Sequence, residues 1–381
     1  MNRKIKVAHI ITMLELGGAQ NNTLYTVQNL DKNKFDVILI SGPGGILDKE
    51  TEKFTNVAVY FVKNLIRQIN PFKDLFALMN LVSILKKEKP DVVHTHSSKA
   101  GILGRWAAKM AGVPKIVHTF HGFGFNDFQM FLVKYAYIFS EKLTSIISDK
   151  LIFVSEQNIR VATILKIGKN TDYLLIRSGI KISDYQNLKL NKTNKMKELE
   201  LPEDLKIITT IGPFKPQKNL NDFIKVAKIV SEAIEKTLFL VIGDGKLRYE
   251  LEEEIKALGL SGKVILLGWR KDVNEILAIT DVFIMTSLWE GLPRAAVEAL
   301  VSGKPVVAYS IDGNIDIIKN GYNGFLNKPK DTRGISENII KLLNDQKLLE
   351  KFSENAKTSV DNTFDIDYMV KQQEDLYTKL I

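Results

Sequence analysis

Short runs of consecutive apolar residues, rich in Val and Ile, recur along the chain and constrain its fold more than any other feature of the sequence. Most of these runs are apolar at every position, which is typical of parallel strands buried on both faces of a sheet. Stretches with helical periodicity separate them, as crossover helices separate parallel strands. The sequence therefore predicts an α/β protein with strands at 5–11, 35–41, 57–62, 91–96, 115–121, 151–155, 206–212, 238–243, 264–268, 281–287 and 305–309.

The strand–helix rhythm runs through the chain in two parts, and 381 residues are too many for one ordinary domain. A polar segment at 189–204 interrupts the rhythm before it restarts. We predict two Rossmann-like doubly wound domains, residues 1–190 and 191–362. Ligands are expected in an interdomain cleft at the carboxyl ends of the strands. The amphipathic tail 363–381 is predicted to be a helix that packs on its own domain or crosses back to the first.

Composition excludes several classes of protein. Hydrophobic residues make up 45% and charged residues 25%, which rules out a disordered or fibrous chain. No apolar run reaches the roughly 18–20 residues of a membrane-spanning helix. There is no cysteine, so disulfides, thiolate nucleophiles and Cys-based metal sites are excluded. The first residues show no signal-peptide pattern, and we expect a cytoplasmic protein.

Positive charge is concentrated in the first half of the chain. Residues 1–190 hold 26 Lys and Arg against 15 Asp and Glu, whereas residues 191–381 hold 27 against 29. This asymmetry predicts an anionic partner for the first domain, such as lipid, phosphate or nucleic acid. A lysine-rich surface that serves only solubility is the alternative.

The segment Glu290-Gly291-Leu292-Pro293 follows a predicted strand and opens a predicted helix. Gly291 permits close backbone approach, Pro293 suits a first helical turn, and a helix N-terminus attracts phosphate. Glu298 follows Glu290 by eight residues, about 12 Å along a helix, so the two carboxylates are able to bracket a nucleotide-sugar. The alternative is an acid favoured by the helix dipole and an exposed helical glutamate.

This segment resembles the signature of retaining glycosyltransferases of family 4, which have the two-domain GT-B fold. Further segments agree with the family in order and spacing along nearly the whole chain. Their residues are 17–19, 94–97, 118–122, 212–219, 243–245, 268–269 and 320–326.

The resemblance assigns roles to individual residues. Glu298 is expected to hold the donor ribose, and Glu290 to bind hydroxyls of the transferred sugar. The backbone N–H groups of Gly291 and Leu292 are expected to meet sugar or phosphate oxygens, and Lys218 to neutralise the diphosphate. The remaining expected donor contacts are Gly243, Trp269 in the stretch that cradles the base, and the loop glycines Gly17 and Gly18.

The chain also departs from the family pattern. Pro213 stands where members often carry an arginine. Either Lys215 replaces that cation, or Lys218 acts alone. A second family element appears here only as Asp312-Gly313-Asn314-Ile315-Asp316, which puts donor contacts in that segment in doubt. We expect no cofactor and no metal, because a lysine and helix N-termini are sufficient to stabilise the departing phosphate.

Four histidines lie at the ends of two predicted strands: His94, His96, His118 and His121. Because these histidines lie in two closely spaced pairs, a zinc site remains an alternative. We expect His94 and His118 to be core residues with hydrogen-bond partners. The resemblance implies that His121 faces the reacting sugar, and we assign it a catalytic role together with Glu290.

Eight aromatic residues lie within 120–139, and basic residues dominate a nearby stretch. Together they predict an anionic membrane as a peripheral partner, with core packing of the aromatics as the alternative. Nucleic acid is not expected, since no nucleic-acid-binding motif is found. The basic residues are Lys63, Arg67, Lys73, Lys86, Lys87 and Lys89.

The predicted function is transfer of a hexose or N-acetylhexosamine from a nucleotide-diphosphate sugar, with UDP expected, to a lipid-linked or polysaccharide acceptor. The enzyme would work at the inner face of the cytoplasmic membrane in the synthesis of bacterial capsule or lipopolysaccharide. A nucleotide-sugar epimerase, a phosphorylase and a non-catalytic nucleotide-sugar binding protein are the alternatives.

Overall fold

The computed structural model describes residues 3–186, 188, 192–202 and 204–381. The first half alternates strands with helices, and two of its helices begin at side-chain caps. The Asn70 side chain accepts a 3.0 Å hydrogen bond from the Lys73 backbone N–H at the start of α2, where Pro71 is the first helical residue. The elements are β1 (Ile5–Met13), α1 (Gly18–Asn29), β2 (Phe35–Gly42), β3 (Val57–Phe61), α2 (Pro71–Glu88), β4 (Val92–His96), α3 (Ser98–Ala111), β5 (Lys115–Phe120), α4 (Phe131–Ser145), β6 (Lys150–Phe153), α5 (Glu156–Leu165) and β7 (Tyr173–Leu175).

The second half repeats the same alternation. It contains α6 (Ser183–Gln186), α7 (Lys192–Glu198), β8 (Lys206–Ile211), α8 (Leu220–Ala233), β9 (Thr237–Ile242), α9 (Arg248–Ala257), β10 (Val264–Gly268), α10 (Val273–Ile279), β11 (Val282–Met285), α11 (Arg294–Val301), β12 (Val306–Tyr309), α12 (Asn314–Ile317), β13 (Gly324–Asn327), α13 (Thr332–Asn344), α14 (Gln346–Thr358) and α15 (Ile366–Leu380).

The chain forms two compact units. Unit 1 comprises the residues up to Gly179 together with Ile366–Ile381, and unit 2 comprises Ile180–Asp365. The boundary predicted between residues 190 and 191 lies outside the described residues. Of the two positions left open for the C-terminal helix, the structure shows the second, because α15 packs in unit 1. Its buried Met369, Val370 and Tyr377 join the cluster of Val7 and Val117.

Each unit is built around one parallel sheet. The strand order is β3-β2-β1-β4-β5-β6-β7 in unit 1 and β10-β9-β8-β11-β12-β13 in unit 2. In each sheet the order reverses beside the first strand of the unit, between β1 and β4 and between β8 and β11. Loops that leave the carboxyl ends of these strands diverge, and open sheets bind ligands at such points.

The predicted doubly wound α/β fold is confirmed, and the predicted strands correspond to eleven of the observed ones. Two short strands were not predicted, β7 and β13. β7 has three residues and none of them is fully buried, so it lacks the continuous apolar run of a central strand. Among the described residues, no helix is long and apolar enough to cross a membrane.

Candidate active site

The loops after β8 and β11 bring two of the predicted site residues of unit 2 together. β8 and β11 are neighbouring parallel strands. A 3-10 turn, Pro216–Lys218, follows β8, and the Glu290 loop follows β11. The two loops are tied by hydrogen bonds from the Leu288 backbone N–H to the Gln217 carbonyl (2.9 Å) and from Gln217 Nε2 to the Trp289 carbonyl (2.7 Å).

Lys218 and Glu290 form an ion pair at this point, between Nζ and Oε1. The side chains are only 15% and 9% exposed. A largely buried ammonium group beside a carboxylate, at the carboxyl ends of two central strands, is chemically able to offer a cation to a phosphate and an acceptor to a sugar hydroxyl within one small volume.

Asp312 fixes the backbone of the Glu290 loop. Its Oδ2 accepts a 2.7 Å hydrogen bond from the Glu290 backbone N–H. Gly313 lies so close to the loop that a Cβ atom there would be 2.1 Å from the Gly291 carbonyl oxygen, so no other residue fits. The segment 312–316, which departs from the family pattern, therefore packs against the Glu290 loop and supports its backbone.

Glu298 lies on α11 beside two polar side chains that the sequence analysis did not identify. The Tyr185 hydroxyl hydrogen-bonds its carboxylate, and Arg294 Nη2 lies 3.7 Å from Glu298 Oε1. Burial raises the pKa of Glu298, and both neighbours oppose this rise. Arg294 was predictable as the residue one turn earlier on the helix. Tyr185 belongs to α6, which nothing in the local sequence connects to α11.

Glycines at three adjacent strand ends form the rest of the unit 2 loop cluster. Gly243 has φ +141°, and a Cβ atom there would be 1.9 Å from the Gly212 carbonyl oxygen. The Gly243 backbone N–H donates to the Gly268 carbonyl (2.9 Å). Trp269 follows directly and is 44% exposed, so its indole is available to a ligand.

In unit 1 the structure gathers all five histidines of the chain around β1, β4 and β5. Four of them were predicted to lie at neighbouring strand ends. The fifth, His9, was missed, although β1 pairs with β4 and places His9 directly opposite His94. A strand order with β1 beside β4 is common in doubly wound sheets, so this neighbourhood was predictable once the fold was assigned.

The histidine side chains are hydrogen-bonded to one another. His9 Nδ1 lies 3.1 Å from His96 Nε2, and His96 Nδ1 lies 3.2 Å from His121 Nε2. Burial lowers the pKa of His9 to about 3 and that of His121 to about 4, and it lowers the pKa values of His94 and His96 well below their usual range. The imidazoles are therefore neutral at pH 7.

His94 and His118 are core residues with hydrogen-bond partners, as predicted. His94 Nδ1 lies 2.6 Å from the Tyr377 hydroxyl and its Nε2 lies 2.7 Å from Thr119 Oγ1, while His118 Nδ1 lies 2.8 Å from Thr95 Oγ1. Both histidines are fully buried. Tyr377 is on α15, so the C-terminal helix closes this polar network.

A metal ion would find three ligand atoms here, because His9, His94 and His96 each place one ring nitrogen within 4.8 Å of the others. The fit is poor, since both nitrogens of His94 already have close hydroxyl partners, Tyr377 and Thr119. A metal bond would break one of these hydrogen bonds. The absence of a metal requirement stays a prediction.

Gly17 and Gly18 lie where the sequence analysis expected them, at the start of α1 after β1. Gly17 is extended, with φ −177°, which any residue adopts. The only atoms that a Cβ at Gly17 would crowd belong to the flexible Gln20 side chain. The geometry therefore does not require glycine at residue 17, and its donor-binding role stays a prediction.

The comparisons with known proteins identify the family. The model for glycosyl transferases group 1 matches residues 191–359, and the model for glycosyltransferase family 4 matches residues 16–162. The chain is 36% identical to the UDP-Gal:alpha-D-GlcNAc-diphosphoundecaprenol alpha-1,3-galactosyltransferase of Escherichia coli, over 99% of this chain and 98% of the relative.

It is also 26% identical to the capsular polysaccharide biosynthesis glycosyltransferase CapM of Staphylococcus aureus, over 93% of each chain. Among solved structures, it is similar in fold to the Anabaena protein HepE in complex with UDP and glucose. That similarity has a TM-score of 0.84 at 20% identity, and it covers 98% of this chain and 100% of the other.

Proposed function

The chain belongs to the family 4 glycosyltransferases of GT-B fold, and from this we propose that it transfers a hexose or N-acetylhexosamine from a UDP-linked donor to a lipid-linked sugar acceptor in cell-surface glycan synthesis. The observation that carries the proposal is the Lys218–Glu290 ion pair at the switch point of unit 2, with Glu298 following on α11. UDP and the lipid-linked acceptor are supported by the name of the Escherichia coli relative, 98% of which aligns with this chain.

In the proposed reaction the anomeric configuration is retained. The acceptor hydroxyl approaches the anomeric carbon on the side of the leaving diphosphate. The new C–O bond forms as the bond to the phosphate oxygen breaks, and that phosphate takes the hydroxyl proton. Lys218 exchanges its contact with Glu290 for the phosphate and stabilises the charge that develops there. Glu290 accepts hydrogen bonds from the transferred sugar, and Glu298 accepts them from the ribose.

Glu290→Gln tests this assignment. The amide retains the size of the side chain but loses the carboxylate that accepts from sugar hydroxyls and pairs with Lys218. We expect kcat for transfer to fall at least about a hundredfold, which corresponds to about 2.7 kcal/mol of transition-state stabilisation. The affinity for UDP, measured by calorimetry, should change less than about threefold. Equal losses in transfer and in UDP binding would remove Glu290 from its assigned role.

The products separate the proposed reaction from the alternatives. A transferase releases UDP and a glycoside, an epimerase releases an isomerised nucleotide-sugar, and a phosphorylase releases a hexose phosphate. A binding protein releases no product. We propose that turnover needs no divalent metal. Activity that EDTA abolishes and magnesium or manganese restores would refute that part.

We further propose an anionic membrane as the partner of unit 1, docking on a surface that we call the α2–α4 surface. The outward apolar side chains of α2 and α4 define it, and both helices pack on α3. The members are unusually exposed for apolar residues, between 45% and 79%: Phe72, Leu75, Phe76, Met79, Phe131, Leu132, Tyr135, Phe139 and Leu143.

Charge around this surface favours lipid over a protein partner. Exposed lysines border both helices, including Lys73, Lys86 and Lys87 on α2 and Lys142 on α4. Lysines that surround an apolar patch complement anionic headgroups while aromatic side chains enter the headgroup layer. A membrane position would also bring the enzyme to a lipid-linked acceptor.

Liposome co-sedimentation tests the membrane proposal. Vesicles with anionic lipid should bind the protein at low salt, and Phe131→Ser with Phe139→Ser should reduce binding at least tenfold, because two large apolar side chains leave the interface. Tyr249→Ser is the control, since Tyr249 is 72% exposed but lies on α9 of unit 2. Absence of binding at low salt, or an equal loss in the control, would contradict the proposal.

A further inference from the structure

The side chains of His9, His96 and His121 form a row joined by two hydrogen bonds, and this geometry restricts their tautomers. The bonded atoms are His9 Nδ1 with His96 Nε2, at 3.1 Å, and His96 Nδ1 with His121 Nε2, at 3.2 Å. A neutral imidazole carries one N–H and one bare nitrogen. His96 therefore donates in one of its two hydrogen bonds and accepts in the other, so both bonds run in the same direction.

Only two arrangements of the row satisfy this condition. In the first, His9 donates to His96 and His96 donates to His121, so that all three residues carry the proton on Nδ1. In the second, every direction is reversed and all three carry the proton on Nε2. The free ends of the row then differ, because His121 presents an N–H donor in the first arrangement and a bare nitrogen in the second.

The surroundings of the two ends favour the first arrangement. His9 Nε2 and His121 Nδ1 are both buried atoms without a hydrogen-bond partner in the described part of the chain. His9 is completely buried, so a proton on its Nε2 would be an enclosed donor with no acceptor. Unsatisfied buried N–H groups are rarer and more costly than unsatisfied acceptors.

The other end of the row differs, because the His121 side chain is only half-buried. His121 also lines a small cavity of unit 1 together with Thr119, Ser178 and Gln373. His121 Nδ1 is itself a buried atom, but its residue lines this cavity, which has room for about one oxygen atom, whereas His9 does not line it.

We propose that His9, His96 and His121 are all Nδ1–H tautomers, and that His9 and His96 are positioning residues that make His121 a fixed hydrogen-bond donor toward a substrate oxygen. This inference rests on the proposed function for the identity of that oxygen, a hydroxyl or phosphoryl oxygen of the nucleotide-sugar. A donor whose tautomer is set before the substrate binds does not reorganise during the reaction, which is the condition for effective electrostatic stabilisation.

The tautomers are measured directly by long-range 1H–15N correlation NMR of the full chain labelled with 15N-histidine at pH 7. The spectrum contains five imidazoles, because the chain has five histidines. We expect His9, His96 and His121 to show the pattern of a protonated Nδ1 and a bare Nε2. A protonated Nε2 on His121 would overturn the proposal, and so would a doubly protonated ring.

Two variants at residue 96 test the positioning role. The amide nitrogen of His96→Asn takes the place of His96 Nδ1 and retains a donor toward His121 Nε2, whereas His96→Leu removes it. In His96→Leu no partner sets the tautomer of His121, so Nε2–H should appear and kcat should fall about three- to tenfold, as for the loss of a neutral hydrogen bond. His96→Asn should keep the Nδ1–H pattern on His121, and its kcat should fall less than about twofold.

These readouts distinguish the possible failures. A chain that shows the Nδ1–H row but transfers no sugar would refute the proposed function and leave the tautomer assignment standing. Equal kcat in wild type and His96→Leu, with Nε2–H on His121 in that variant, would overturn the positioning role. A metal held by His9, His94 and His96 would make the imidazole signals change on treatment with EDTA, and that result would also overturn the proposal.

Discussion

Mild acid should destabilise unit 1, because four of the five histidines of the chain are fully buried there and the fifth, His121, is half-buried. Burial is the main cause that lowers their pKa values, to about 3 for His9 and about 4 for His121, and Lys32 adds to the effect at His9. For His118 the Arg105 guanidinium acts in the same direction as burial. Below pH 6.5 the unfolded chain therefore binds more protons than the folded chain, and stability falls as the pH falls.

The size of this effect follows from the shift in pKa. An unfolded histidine with a pKa of about 6.5 gains about 1.2 kcal/mol from protonation between pH 7 and pH 5.5, while a folded one with a pKa near 4 gains almost nothing. The pKa values of His94, His96 and His118 are also lowered well below the usual range, so the five histidines together remove at most about 6 kcal/mol of unfolding free energy. The free energy of unfolding of a folded domain is about 5–15 kcal/mol, so unit 1 should be close to unfolding near pH 5.

Urea denaturation at several pH values measures the slope, and hydrogen exchange read by mass spectrometry separates the units. Peptides of unit 1 should lose protection between pH 7 and pH 5.5, whereas unit 2, which has no histidine, should keep it. His118→Asn should reduce the loss of unfolding free energy between pH 7 and pH 5.5 by about one fifth, whatever the stability of the variant at pH 7. A total loss below about 1.5 kcal/mol over this pH range would refute the burial of neutral histidines.

Two further predictions concern buried contacts in each unit. Glu141→Leu should cost about 3–5 kcal/mol of stability because it leaves the Arg105 guanidinium buried without its carboxylate, while the double variant with Arg105→Met should recover most of that loss. Urea denaturation of the double-mutant cycle checks this, and additive losses would contradict it. Gly243→Ala should weaken UDP binding at least tenfold, because its Cβ would clash with the Gly212 carbonyl oxygen. Gly259→Ala is the control, because Gly259 also has a positive φ, +69°, but a Cβ there would meet open space. Calorimetry should show unchanged UDP affinity in this variant.

The sequence predicted the central strands because burial on both faces leaves a continuous apolar run. It did not predict β7 and β13, which are short strands at the ends of their sheets: β7 has no fully buried residue, and β13 is buried only at its two ends. The Glu290 segment was identified correctly as a loop between a strand and a helix. Its pairing with Lys218 depends on strand order, and its support by Asp312 depends on a loop 22 residues later, so neither contact has a local signal.

The aromatic cluster at 120–139 is a second feature whose environment has no local signal in the sequence. The sequence allowed core packing or an exposed membrane contact, and the structure divides the cluster between them. Phe120 and Phe125 are buried, whereas Phe131 and Phe139 are exposed by 69% and 68%. Helical periodicity alone places Phe131 and Phe139 together on one face of α4, but it does not determine which face meets the core.

The structure shows why the apolar face of α4 points outward. The inward face carries Glu141 and Thr144, which bind side chains of α3: Glu141 Oε2 lies 2.5 Å from Arg105 Nη2, and Trp106 Nε1 donates to Thr144 Oγ1 at 3.1 Å. Arg105 is completely buried, so turning α4 by half a revolution would leave a guanidinium group without its carboxylate, at a cost of several kcal/mol. The same rotation would expose Ile138, which is buried on the inward face of α4. The Arg105–Glu141 ion pair, the Thr144 hydrogen bond and Ile138 therefore fix which face of α4 meets α3, and the opposite, apolar face stays on the solvent side, where the α2–α4 surface is available to a partner.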